Sequence, residues 1–196
     1  MVLKYTDCTN NGCKHGMGRM IKLVRLQEEH LEKVMVWRVS PEVTRYMVTD
    51  IEYNMDKQYQ WFNRVTKDDT CRYWVIFYQN TLIGLINIAD IDYAHRRCSA
   101  GYYIGEKDYR QIGAMVLPYL YNYVFKTMKF RKIYGEVLAG NKNILYIHKM
   151  HGFREVGVYR DHIFKGGLFY DVVLIELLAE SWLSQAKYQR YVTEFP

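Results

Sequence analysis

Apolar residues recur along the chain at two spacings, and the switches between them divide it into elements. Residues 21–26 (Ile-Lys-Leu-Val-Arg-Leu) alternate apolar and polar positions, the two-residue period of a strand with one buried face. Over 28–39 the period lengthens. Leu31, Val34, Met35 and Trp37 follow helical spacing, and Pro41 ends that helix. A short second helix carrying Tyr46 and Met47 follows, then a third over 56–66 with Trp61 and Phe62 on its apolar side. Three strands come next, 73–79, 81–90 and 98–105, joined by a hairpin turn at Gln79-Asn80 and a connection over 93–97. A further helix gathers Val116, Leu117, Leu120, Val124 and Phe125 on one side. It accommodates Pro118 near its first turn, where N–H groups need no carbonyl. The chain closes with a strand over 132–138, a helix from Asn141, and a hairpin of strands 153–159 and 169–177 turning at Lys165-Gly166-Gly167.

A chain of 196 residues that is 49% hydrophobic buries one core and hardly two, so a single mixed α/β domain over 20–196 is expected. Residues 1–19 read as a flexible polar leader, with Met17 and Met20 as alternative starts. Cys8, Cys13 and His15 lie in that leader, but two cysteines with four residues between them and one histidine leave a tetrahedral shell incomplete, so no metal centre is expected. Cys71 and Cys98 fall in strand-like runs and read as core. No apolar run approaches the ~20 residues that span a bilayer, and the N-terminus lacks the order of a signal peptide. A cytoplasmic protein without a membrane partner is therefore expected, with reduced cysteines. A net charge of +6 suits anionic ligands. The basic residues are dispersed and form no block or zinc-finger spacing, which argues against nucleic acid.

Two segments carry the chemistry. Tyr109-Arg110-Gln111-Ile112-Gly113-Ala114-Met115 sits between a strand and an amphipathic helix, the layout of a turn that holds a diphosphate on backbone amides. The first N–H groups of a helix lack intrahelical partners, Gly113 allows close approach, and Arg110 adds a formal charge. About thirty residues on, Asn141-Lys-Asn143-Ile-Leu-Tyr-Ile-His148-Lys-Met-His-Gly152-Phe153 reads as a helix that ends in Gly before a strand.

Together these segments resemble the acyl-CoA-binding and catalytic elements of the GCN5-related N-acetyltransferase (GNAT) superfamily over roughly residues 20–178. That superfamily's loop reads Arg/Gln-x-x-Gly-x-Gly/Ala, and its later helix Asn-x-x-Ala-x-x-x-Tyr-x-x-x-Gly-Phe. The resemblance implies the GNAT fold: a mixed, mostly antiparallel central sheet of about seven strands, split by the coenzyme and flanked by helices on both faces. It implies acetyl-CoA as co-substrate and direct transfer to an amine. It places coenzyme contacts on Tyr103, Ile104 and Gly105 of a splayed strand, on Arg110, Gln111, Ile112, Gly113, Ala114 and Met115 of the loop, and on Asn141 and Asn143. Met115 stands where a small residue is usual, and only one loop glycine remains.

The tyrosine that protonates the leaving thiolate in that superfamily corresponds to His148 here. A histidine with a pKa near 6.5 can donate a proton to sulfur, and it can equally be a polar helix residue satisfied by its neighbours. Tyr146, two residues earlier, points to another side of the helix. Glu136 is the only carboxylate in its strand. By alternation it shares a face with Tyr134 and Leu138, which suits either acceptance of the amine's proton or a solvent-facing edge.

Within the superfamily the chain resembles the N-acetyltransferases of pseudaminic-acid biosynthesis, which acetylate a UDP-linked 4-amino-dideoxy sugar. Trp37-Arg38-Val39-Ser40-Pro41, Tyr46-Met47, Gln58-Tyr59-Gln60-Trp61-Phe62 and the stretch from Gly157 to Asp171 carry the likeness, with Val39 for an Asn and Gln58 for a His. This implies an acceptor pocket in which Arg38 meets a nucleotide phosphate, Trp61 stacks on a base, and Met47 and Gln58 line the sugar. Core packing is the competing reading for Trp61 and Met47. A peptide or ribosomal-protein N-terminus or a polyamine is the alternative acceptor, and a catalytically silent acyl-CoA-binding module the alternative class. The 19 tyrosines leave surface for a homodimer face or a ligand cleft.

Overall fold

The computed structural model describes residues 21–196. The polar leader, the Cys8, Cys13 and His15 cluster and the alternative starts therefore lie outside the described residues. Strand β1 (Ile21–Arg25) leads through a single 3-10 turn, Glu28–His30, into helix α1 (Leu31–Val39). Pro41 ends α1 and also begins helix α2 (Pro41–Thr44), because a proline at the first helical position forfeits an N–H that needs no partner there. Tyr46 and Met47, expected inside that helix, lie just beyond it. Helix α3 (Met55–Val65) is capped by Asn54, whose side chain accepts from the Lys57 N–H at 2.9 Å.

Strands β2 (Arg72–Tyr78), β3 (Thr81–Asp92) and β4 (Arg97–Ile104) form a meander. The β2–β3 turn at Gln79-Asn80 has positive φ at both residues, as expected of a tight hairpin. Strand β3 runs two residues past its expected end, because Asp90 at φ 50° makes an irregularity that the strand survives. Helix α4 (Gly113–Asn122) follows a 3-10 stretch and leaves through a π-turn, Tyr123–Thr127. Pro118 thus lies in the interior of α4 rather than in its first turn. Having no N–H, it cannot donate to the Ala114 carbonyl one turn back.

Strand β5 (Lys132–Leu138), helix α5 (Lys142–Met150) and the long hairpin β6 (Arg154–Lys165) and β7 (Leu168–Leu178) complete the sheet, in the order β1-β2-β3-β4-β5-β7-β6. Every adjacent pair is antiparallel except β4–β5. The expected seven-stranded, mostly antiparallel sheet is what forms. One face packs Trp74, Ile76, Ile86 and Ile133 against Val116, Leu117 and Leu120 of α4. The other packs Val75 and Leu85 against Leu31, Val34 and Trp37 of α1, with α3 alongside. Cys71 and Cys98 are buried and unpaired, as expected.

Helix α6 (Ala179–Leu183) and the tail after it had no counterpart in the sequence pattern. Trp182 is fully buried and its Nε1–H donates to Asn122 Oδ1 at 2.8 Å, while Asn122 Nδ2 donates to the Tyr188 and Tyr191 carbonyls. His151 is enclosed by the rings of Tyr121, Trp182 and Tyr188, with its Nδ1 buried and without a partner among the described residues. Burial, with Lys187 adding to it, pushes its pKa down to about 4.

This histidine makes the fold acid-sensitive. The folded form stays neutral down to about pH 4 while the unfolded chain takes up its proton near pH 6.5, so stability is lost as pH falls through that window. We expect the midpoint of urea unfolding to drop between pH 7 and pH 4.5, with His151→Phe recovering on the order of 2 kcal/mol at the acid end. Identical pH slopes in the two proteins would show that His151 is not the cause.

Candidate active site

The site begins where the sheet comes apart. Strands β4 and β5 pair in parallel over only three positions, Arg97 with Lys132, Cys98 with Ile133 and Ser99 with Tyr134. Past Ser99, β4 continues against β3 to Ile104, and β5 continues against β7 to Leu138. The two strands share no ladder there. A cleft of about 1150 Å³ opens between them, lined by Gly101 to Ile104 on one side and Gly135 to Leu138 on the other. An extended ligand can take up main-chain groups along the parted edge of β4, so the fold fits the long arm of acetyl-CoA.

The expected coenzyme residues divide into two groups. Tyr103, Ile104, Arg110, Asn141 and Asn143 line the cleft; Gly105, Gln111, Ile112, Gly113, Ala114 and Met115 do not. The Gln111 amide donates back to the Asp108 carbonyl at 2.8 Å, and Ile112 and Met115 pack into the core. What these loop residues have to offer a diphosphate is main-chain N–H at the start of α4. Their glycines are also spoken for by protein. A Cβ on Gly113 would come within 3.0 Å of the Tyr102 ring, and one on Gly105 within 2.1 Å of the Trp37 indole. Trp37 is held over Gly105 by its Nε1–H, which donates to Glu106 Oε1 at 3.1 Å.

Helix α5 carries His148 to the cleft wall. Asn141 caps the helix by accepting from the Ile144 N–H, and the His148 ring packs at a tilt against Phe153, with centroids 4.6 Å apart. Its Nδ1 lies 3.2 Å from the hydroxyl of Tyr121, a fully buried α4 residue. Burial, with His151 adding to it, lowers the pKa of His148 to about 4 rather than the ordinary value near 6.5. The ring is therefore uncharged at neutral pH. Glu136, which also lines the cleft, is exposed on β5, so the apolar neighbours that alternation gave it do not cover it.

Arg38, Met47, Gln58 and Trp61 also line the cleft, on the side of α1 to α3. Arg38 spends part of its guanidinium on structure, donating to Thr44 Oγ1 at 3.2 Å and to the Thr49 carbonyl at 2.7 Å. Trp61 is half-buried and meets Tyr73 edge-on at 5.1 Å, so it is both packed and cleft-facing. Gln58 is only 6% exposed. The Tyr103 hydroxyl, on the same side, is buried with no partner among the described residues. Its burial raises the phenol pKa.

Charge is uneven on this side. Among the described residues, Arg38, Arg45, Lys57 and Arg64 line the cleft without a carboxylate partner, whereas Glu42 is paired with Lys107 and Asp50 with Lys165. Glu52 and Glu136 are the cleft carboxylates left unpaired.

Two contributors escaped the sequence reading. Lys165, at the end of β6, reaches back to the segment after α2, donating to the Thr44 carbonyl at 2.6 Å and the Met47 carbonyl at 2.9 Å and pairing with Asp50 at 3.0 Å. No local pattern marks it, because its partners lie more than a hundred residues away. Tyr121 falls one turn after Leu117 on α4, a spacing that reads as core and does not single out its hydroxyl.

The sequence model of the acetyltransferase (GNAT) domain family matches residues 21–154, more than half of the chain. The chain is similar to the acetyltransferase PseH of Campylobacter jejuni, 21% identical over 68% of this chain and 85% of that protein. It is also similar to the putative ribosomal N-acetyltransferase YdaF of Bacillus subtilis, 22% identical over 84% of this chain and 86% of that one. Among solved structures, the spermidine N-acetyltransferase of Vibrio cholerae in complex with CoA and spermine shares the fold, with a TM-score of 0.78 at 22% identity over 84% of this chain and 99% of that one.

The Lys165 contacts make a structural prediction. Replacing Lys165 with Met removes charge-assisted bonds to two carbonyls and a carboxylate. The segment 44–50 is then expected to lose about tenfold of its hydrogen-exchange protection, with the protection of β2 and β3 unchanged. Equal protection of 44–50 in native and variant proteins would show that Lys165 does not hold it.

Proposed function

The chain belongs to the GNAT family of acetyltransferases, and on that premise we propose that it transfers acetyl from acetyl-CoA to the amine of a small anionic acceptor, a nucleotide-linked amino-dideoxy sugar. The observation that carries this reading is the cationic excess on the acceptor side: four basic side chains without carboxylate partners line that part of the cleft. Phosphates of a nucleotide complement that charge, and a polycation does not. The resemblance of the segments around Arg38, Met47 and Trp61 to the pseudaminic-acid acetyltransferases supports a sugar amine, although acetyltransferases of other kinds match the chain at equal identity.

In this reading acetyl-CoA supplies the thioester. Arg38, with Arg64 and Lys57, receives the acceptor's phosphates, Trp61 offers an aromatic face to its base, and Met47 and Gln58 border the sugar. Glu136 accepts the proton of the attacking amine, and His148 serves the departing sulfur or the carbonyl oxygen. Holding both reactants in one cleft supplies much of the rate.

A polyamine acceptor is the second reading, favoured by likeness of fold to an enzyme solved with spermine. It asks for unpaired carboxylates, and two of the four acidic side chains that line the cleft among the described residues are already held by lysines.

The test is release of free thiol from acetyl-CoA with a UDP-linked 4-amino-dideoxy sugar, spermidine or a peptide amine as acceptor. Turnover with the sugar nucleotide alone is the expected result. Turnover with spermidine alone overturns the acceptor, and acetyl-CoA binding without any turnover overturns catalysis. The Lys57→Gln/Arg64→Gln double variant should raise the KM for the sugar nucleotide about tenfold and leave that for acetyl-CoA unchanged, and added salt should do the same to the native enzyme. An acceptor KM insensitive to both would reject phosphate recognition at these residues.

A further inference from the structure

The contact between Tyr121 and His148 fixes more than a ring position. Tyr121 has no exposed surface, and its ring is enclosed by Phe153, His151 and Trp182. Burial pushes its phenol pKa well above 10, so the hydroxyl keeps its proton. The sole partner of that hydroxyl among the described residues is His148 Nδ1 at 3.2 Å. A buried O–H left without an acceptor is costly, which favours the arrangement in which Tyr121 donates and Nδ1 accepts. A neutral imidazole carries one N–H. With Nδ1 as acceptor, that N–H is on Nε2.

Nothing nearby offers a competing arrangement. Tyr102, beside Tyr121, is likewise held as a neutral phenol by burial, and His151 is itself kept neutral. Nε2 has no protein partner among the described residues, and the side chain that bears it lines the cleft.

We propose that Tyr121 is a positioning residue that locks His148 in the Nε2–H tautomer, so that His148 acts in acetyl transfer as a fixed, neutral hydrogen-bond donor and not as an acid or a base. The inference rests on the assignment of His148 to the transfer step made above. In that step the amine lone pair forms the N–C bond, the C–S bond breaks, and its electron pair leaves on sulfur. The proton lost by nitrogen ends on sulfur as the free thiol. His148 steadies the developing negative charge and leaves with the proton it brought. A neutral donor of this kind needs no protonation before each turnover and loses nothing to its low basicity.

The tautomer is read directly from the imidazole 15N shifts of histidine-labelled enzyme, with His148 assigned by its replacement, and this needs no acceptor. Expected are a protonated Nε2 and an unprotonated Nδ1 between pH 6 and 8, and loss of that preference in Tyr121→Phe. A protonated Nδ1 in the native enzyme overturns the proposal. With whichever acceptor turns over, His148→Gln, whose amide N–H can replace the donor, should retain turnover within about tenfold, while His148→Phe loses about a hundredfold with acetyl-CoA affinity unchanged. A His148→Gln variant as slow as His148→Phe also overturns it. A His148→Phe variant as fast as the native enzyme instead removes His148 from the transfer altogether, and the assignment above falls with it.

Discussion

A parallel ladder that stops after three residue pairs is the constraint around which this protein is arranged. Backbone N–H and C=O groups want partners, and a sheet that parts in its middle leaves a stretch of two strands to find them elsewhere. Here the parting is stable because each half of the sheet has its own support. Strand β4 stays zipped to β3 up to Ile104, and β5 stays zipped to β7 along its whole length. The opening is thus a fixed feature of the scaffold, and a ligand that lies along it meets main chain already oriented to receive it.

The surroundings of the parting are tied at points that share one logic: a polar group from a distant part of the chain pins an element at the cleft's edge. Glu106 pins Trp37 over Gly105, so α1 sits flush on the end of β4. Asn122 binds the indole of Trp182 and two tail carbonyls, closing α6 over the far side of α4. Tyr121, between these regions, reaches His148 from the core. The position of His148, the one histidine on the cleft wall among the described residues, therefore depends on packing beneath it as well as on its own helix.

Much of this architecture was legible in the sequence because it rests on local periodicity. The strands, the first three helices and the helix after Asn141 all announce themselves by spacing, and the GNAT motifs located the cleft. What was not legible is what depends on distant partners. Pro118 could not be placed because the start of α4 turns on whether 107–112 winds as 3-10 or α, a matter of a few tenths of a turn. The π-turn and the bulge at Asp90 leave no signature of their own. The ordinary pKa assumed for His148 was wrong for the same reason: nothing in the helix sequence reports that Phe153 and α4 enclose the ring. Ile112 and Met115, expected in a loop that offers backbone amides, turn their side chains into the core, a packing role that the loop motif does not report.

The ammonium of Lys165 holds two carbonyls and a carboxylate from a segment that forms part of the cleft wall. Since one atom of the β6–β7 hairpin makes all three contacts with the segment after α2, the two cannot part there without breaking them together. That corner of the cleft is therefore pinned by a single side chain, and its release forfeits three bonds at once.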